Sequence, residues 1–220
     1  MVTTRHAFDM ALEDLQREIL RMGSLVEQSI ANAVQSLEKQ DIQMAKKVVE
    51  GDQVIDDLDL EIEDKCMKLI ATQQPMAKDL RRIGTGFRII TDLERMADHA
   101  TDIAKITIRF ADQPLIKPLI DIPKMAGLAQ KMVRNVLDAY VQGNVELAQE
   151  ACKADDEVDH LYRLVFEELL EIMQKNTSTI FQATYLLFVA RYLERIADHA
   201  TNIGESVIYL ETGQRKDLNL

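Results

Sequence analysis

One motif occurs twice in this chain. Residues 92–106 read DLERMADHATDIAKI and residues 192–206 read YLERIADHATNIGES, identical at nine of fifteen positions. Within LERxADHAT eight of nine positions match, at an offset of 100 residues. A fainter repeat precedes it. Asp52-x-x-x-Asp56 lies in GDQVIDDL and Asp155-x-x-x-Asp159 lies in ADDEVDHL, at an offset of 103. Such self-similarity marks a duplicated unit, which predicts pseudo-twofold symmetry.

The periodicity says what each unit is made of. From Phe8 to Leu37 the apolar residues Leu12, Leu15, Ile19, Met22, Val26, Ile30, Val34 and Leu37 recur at spacings of 3 and 4, the mark of an amphipathic helix. Asp41 is placed to cap a second helix reaching about Ala71, and Pro75 stands where a third can start on its way to about Phe110. That third helix would bury Leu80, Ile83, Phe87, Ile90, Leu93 and Ala97. The stretch ADQPLIKPLIDIP, with three prolines, is the strong linker. After it the pattern predicts a fourth helix from about Met125 to Tyr140, a fifth from Val145 to Met173, and a sixth opened by Thr177 or Ser178 and closed near Gly213. Helices of about 30 residues belong to bundles. The expectation is an all-α protein of two tandem three-helix bundles, residues 1–112 and 118–220.

Composition narrows the function. Eight Gly and four Pro in 220 residues are too few for a turn-rich β protein. With no Trp and 5% aromatics, the core is aliphatic, and the Met residues at helical spacing read as part of it. A net charge of −11 repels phosphate backbones and argues against nucleic-acid binding. Cys66 and Cys152 belong to no CxxC and are expected reduced, buried and structural. The N-terminus carries charges throughout, without the apolar stretch of a signal peptide, and no segment is apolar enough to span a bilayer. A cytoplasmic protein is expected.

The repeated acids carry the chemistry. On a helix, positions i and i+4 lie about 40° apart, so Glu94 and Asp98 share a face, with Asp102 extending the row. The second copy has Glu194, Asp198 and Asn202. Asp52 with Asp56, and Asp155 with Asp159, have the same spacing. Like charges so placed repel. A compensating cation is required, either Arg95 or Arg195 from a neighbouring helix or a metal ion. Oxygen-only ligands suit Mg, Ca, Mn or carboxylate-bound iron. Ala97, Ala100 and Ala104, and Ala197, Ala200 and Gly204, would let another helix approach closely enough for its acids to share the ion. The competing reading is an acidic solvated face with intrahelical ion pairs. His99 and His199 point about 100° away from the adjacent aspartates and read as packing or capping residues rather than ligands. Arg81 and Arg82 have an ordinary helix-surface role as their simplest reading. Glu-x-x-His, the di-iron bundle motif, is absent after Glu94 and Glu194, where Ala97 and Ala197 stand. Nor is there a P-loop, a dinucleotide fingerprint, HExxH or GxSxG.

LERxADHATxI, present twice, and the segment PMAKDLRRIGTGFRIITDLERMADHATDIA resemble the PhoU family of phosphate-signalling regulators, over residues 8 to 213. The resemblance implies two three-helix bundles whose acidic motifs bind metal, through Asp52, Asp56, Glu94, Asp98, Asp155, Asp159, Glu194 and Asp198. It implies a homodimer or higher oligomer. It also implies a negative regulator of the phosphate-starvation response that relays the state of a phosphate-specific ABC transporter, through its ATPase subunit, to a sensor histidine kinase. Asn202 departs from the pattern and would weaken the second metal site. The expectation is an adaptor without catalysis. The rival is a carboxylate-bridged hydrolase or oxidase, and the plainest alternative is a helical scaffold without metal.

Overall fold

The computed structural model describes residues 2–111, 113–215 and 218. Among the described residues seven α-helices follow one another: α1 (Val2–Lys39), α2 (Ile42–Gln73), α3 (Lys78–Arg109), α4 (Asp121–Gln142), α5 (Val145–Cys152), α6 (Asp155–Lys175) and α7 (Ile180–Thr212). No strand occurs among the described residues, and no helix is long and apolar enough to cross a membrane.

The turns follow local chemistry. The Asp41 carboxylate accepts the Met44 N–H at 2.9 Å, capping α2 as its side-chain chemistry requires. Gly143 (φ 63°) and Gly213 (φ 72°) close α4 and α7 in the left-handed region. Asn144 then caps α5 by accepting from Leu147.

Several boundaries differ from the expected ones. α1 starts six residues earlier than Phe8, because nothing in the preceding segment breaks a helix. Gln74, at φ 46°, takes the left-handed closing position of α2, so Pro75 lies in the turn and α3 begins only at Lys78. α4 begins at Asp121; Pro123 falls in its first turn, where its missing N–H has no helical partner to lose. Asn176, not Thr177 or Ser178, caps the short 3₁₀ turn Thr177–Thr179 ahead of α7. The expected fifth helix is bent. Lys153 and Ala154 have ψ of −21° and −14°, close to 3₁₀ values, and Ala154 donates to the Ala151 carbonyl. Asp155, Asp156 and Glu157 then favour a new helix N-terminus.

α1, α2 and α3 form one bundle; α4, the bent α5–α6 and α7 form the other. The bundles join where α3 packs on α7 and α1 packs on α4, and one continuous apolar core runs through both. Every residue of the predicted α1 stripe is buried, and each such Leu, Ile or Met contributes roughly 1.5–3 kcal/mol. Leu80, expected inside, is 45% exposed, and Met10, Met67 and Met76 lie on the surface rather than in the core. Both cysteines are free and buried. Residues 113–120 cross between the bundles. There the buried Gln182 amide accepts from the Ile116 N–H at 2.5 Å and donates to the Pro114 carbonyl at 3.1 Å. The expected unit ends at residues 112 and 220 lie outside the described residues.

Candidate functional site

In the first bundle the acids meet along the α2–α3 contact. Asp52, Asp56, Glu94 and Asp98 are all part-buried. Burial, then Asp56, pushes the Asp52 carboxyl above its ordinary range, and Asp98 on α3 adds to the effect. Burial, then Asp98, raises Glu94, with further contributions from Asp59 and Asp56 on α2. Each helix therefore lies in the other's negative field. The second bundle repeats this along α6 and α7. Asp155 is pushed up to about 7 by burial, then by Asp198, Asp159 and Glu194. Glu194, 9% exposed, is raised by burial and then by Asp198, with Asp159 adding to it.

The arginines answer only part of this charge, and from the same helix rather than a neighbouring one. Arg95 reaches Asp98 at 3.2 Å and Arg195 reaches Asp198 at 2.9 Å, both one turn apart, and Arg191 pairs with Glu194. Among the described residues four carboxylate oxygens are nonetheless buried without a hydrogen-bond partner: Asp52 Oδ1, Asp59 Oδ1, Asp155 Oδ1 and Glu194 Oε2. Orphaned anionic oxygens are costly, and a hard cation is the partner their chemistry fits. Among the described residues no three His, Cys, Asp or Glu side chains are gathered tightly enough to hold one ion as they stand. Shared coordination would require the facing carboxylates to swing inward.

Asp59 belongs to this site although it has no repeated counterpart. It lies one turn beyond Asp56, and burial, then Glu63, raises its carboxyl. The residue 103 positions later is Tyr162, so the internal repeat hides it.

Three neighbours behave differently from expectation. Asp102 does not extend the acid row. Eight residues after Glu94 the helix has turned a further 80° or so, and Asp102 acts on His99 and Tyr192 instead. Asn202 likewise turns to the other bundle, donating to Asp92 at 3.2 Å. At Gly204 the helix that approaches closely is α5, not acid-bearing α6: a Cβ there would lie 2.4 Å from Cys152 Sγ and 3.5 Å from the Ala148 carbonyl.

The histidines pack at the α3–α7 joint. His99 stacks on Tyr192 with ring centroids 5.4 Å apart, and His199 lies 5.8 Å from His99. Burial, then His199, holds His99 below the usual imidazole range. Elsewhere, a cleft of about 610 Å³ opens where α1, α3, α4 and α7 converge, lined by Lys78, Arg82, Tyr140 and Glu211 among others. It contains none of the motif acids.

The chain is similar to known proteins over nearly its whole length. A family model described as the PhoU domain matches residues 19–107 and 122–207, one copy per bundle. A Clostridium acetobutylicum protein named as a phosphate-specific transport system accessory protein, PhoU homolog, is 48% identical over 98% of this chain and 99% of its own. An Aquifex aeolicus protein of the same name is 39% identical over 92% of each. The crystal structure of PhoU from Pseudomonas aeruginosa superposes with a TM-score of 0.90 at 34% identity, covering 94% of this chain and all of that one. That of the phosphate transport system regulatory protein PhoU from Streptococcus pneumoniae gives 0.89 at 30%, over 96% and 99%.

Proposed function

Because the chain belongs to the PhoU family, we propose that it is a cytoplasmic adaptor that holds the phosphate-starvation response off while phosphate is plentiful. In this reading it is an accessory protein of phosphate-specific transport. It couples the ATPase subunit of a phosphate ABC transporter to a sensor histidine kinase, and it acts as a homodimer. Its work is binding, not turnover. The observation that supports this best is the full-length match, at 48% identity, to a protein named as a transport accessory.

The acid crevices add a metal to the proposal. Asp52, Asp56, Glu94 and Asp98 would hold it in the first bundle, and Asp155, Asp159, Glu194 and Asp198 in the second. The unpartnered buried oxygens of Asp52, Asp155 and Glu194 support that assignment. A divalent or iron ion there would neutralise the mutual repulsion of the carboxylates and fasten α2 to α3 and α6 to α7.

Deletion of the gene tests the regulatory reading. Phosphate-starvation genes should stay on in phosphate-rich medium, because loss of an adaptor removes a bias on its kinase. Normal repression in the deletion strain defeats the reading, and a robust metal-dependent turnover by the pure protein favours an enzyme instead.

A further inference from the structure

The two units are near-copies in their motifs, so the surfaces on which they differ point to a role that one unit alone performs. Phe181, Tyr185, Phe188 and Tyr192 fall within a sector of about 60° on α7 and span about 16 Å, three helical turns. Their rings touch in series, with centroids 4.9, 6.0 and 6.5 Å apart. One hundred residues earlier, α3 carries Arg81, Thr85, Arg88 and Asp92 at these places. The adjoining α6 shows the same contrast. Tyr162 and Phe166 lie 6.3 Å apart on the face that carries Asp155 and Asp159 toward α7. Their counterparts on α2 are Asp59 and Glu63.

Six of the chain's eleven aromatic residues therefore lie on α6 and α7, in two separate stripes. That of α7 lies beside α3, where Tyr185 meets Phe110 and Tyr192 meets His99. Tyr162 and Phe166 lie on the side of α6 that meets Glu194 and Asp198, about 130° further round α7. On α7, Phe188 and Phe181 are 46% and 48% exposed, where a monomer's surface gains nothing from a bare ring. The edge toward α3 is cationic. Arg109 lies 4.8 Å over the Tyr185 ring and donates to its hydroxyl at 2.7 Å; among the described residues its partner is this tyrosine and not a carboxylate. Aromatic rings with an arginine at the rim are the composition of protein-binding hot spots. The chain's net charge of −11 disfavours an anionic lipid surface as the occupant.

We propose that the aromatic stripe of α7 is a docking surface for an amphipathic helix of a partner protein, which supplies apolar side chains at helical spacing and a carboxylate for Arg109. The two exposed rings, Phe181 and Phe188, lie two turns or about 10 Å apart, the spacing of i and i+7 anchors on a partner helix laid along the stripe. The proposal deepens the adaptor reading and rests on it, since it names the face by which the adaptor would grip.

The test uses the full chain and two purified probes from the same organism, the transporter's ATPase subunit and the cytoplasmic part of the sensor kinase. Phe181→Ser/Phe188→Ser should bind one of them at least ~10-fold more weakly than the unmodified chain. Arg81→Ser/Arg88→Ser, the same positions of the other unit, should bind within about twofold of it. Arg109→Glu should also weaken binding. Unchanged affinity in the phenylalanine variant overturns the docking face and leaves the adaptor reading standing. If the unmodified chain binds neither probe, the adaptor reading falls and the docking face with it. A variant that turns a dimer into a monomer while keeping its partner affinity overturns the proposal in favour of a second copy on this face. Should the variant lose its helical circular dichroism, a photo-crosslinking amino acid at position 188 replaces it: the crosslink must fall on a helix of the bound probe, and any other site overturns the proposal.

Discussion

Asp92 of α3 and His199 of α7 meet across the joint between the bundles, carboxylate oxygen to ring Nδ1 at 2.9 Å. Asn202 donates to the same oxygen. The twofold mate of Asp92 is Tyr192, which makes the joint by stacking on His99 instead. Asp92→Ala strips the partner from two part-buried groups of α7 at once. The variant should be less stable by about 1–3 kcal/mol, read from the shift in urea midpoint at constant slope.

Glycines in these helices predict opposite outcomes at different places. Gly204→Ala drives a methyl into Cys152 Sγ and toward the Ala148 carbonyl, and should destabilise by about 1–3 kcal/mol. At Gly51, inside α2, nothing lies within 4 Å of an added Cβ. Gly51→Ala should raise stability by roughly 0.5–1 kcal/mol through helix propensity alone. Thermal unfolding of the two variants should bracket that of the parent.

Burial pushes the Cys66 thiol up to about 12, from an ordinary value of 9.0. The folded state therefore keeps its proton where the unfolded chain loses it, so the unfolded state binds fewer protons and stability falls as pH rises. The contribution is intact below pH 9 and is lost on the way to about 12. The stability gap between the parent and Cys66→Ala should narrow over that window. At neutral pH the thiol should react with Ellman's reagent only after unfolding.

For the acid crevices the expected result is a change in bound metal. Glu94→Ala/Asp98→Ala should lose the first bundle's share, and Glu194→Ala/Asp198→Ala the second's, measured by elemental analysis of protein purified without chelators. Equal metal content in the parent and both variants refutes ion binding at these carboxylates.

The helical units are legible in the sequence because apolar spacing and the duplicated LERxADHAT both survive as one-dimensional patterns. The pairing of Asp52 and Asp56 with Glu94 and Asp98 is legible for the same reason. What is hidden depends on which helix lies opposite. Asp59 escapes because its counterpart is Tyr162, and the roles of His99, His199 and Asn202 exist only where α3 meets α7. The bend at Lys153 and Ala154 carries neither Gly nor Pro, and it arises from backbone dihedrals that no residue type announces. The aromatic stripe on α7 goes unremarked in the sequence, because only the fold shows that Phe181 and Phe188 are left uncovered.

The crossing at residues 113–120, tied down by Gln182 through Pro114 and Ile116, has a consequence for stoichiometry. It makes association of the two halves an internal event with a high effective concentration, so dilution does not separate them. Two independent protomers could combine in any pairing, each with its own grip. A tandem chain delivers one aromatic face for every two acidic crevices. That face is counted once per chain, so the ratio of aromatic face to acidic crevice is written into the covalent structure rather than set by protein level.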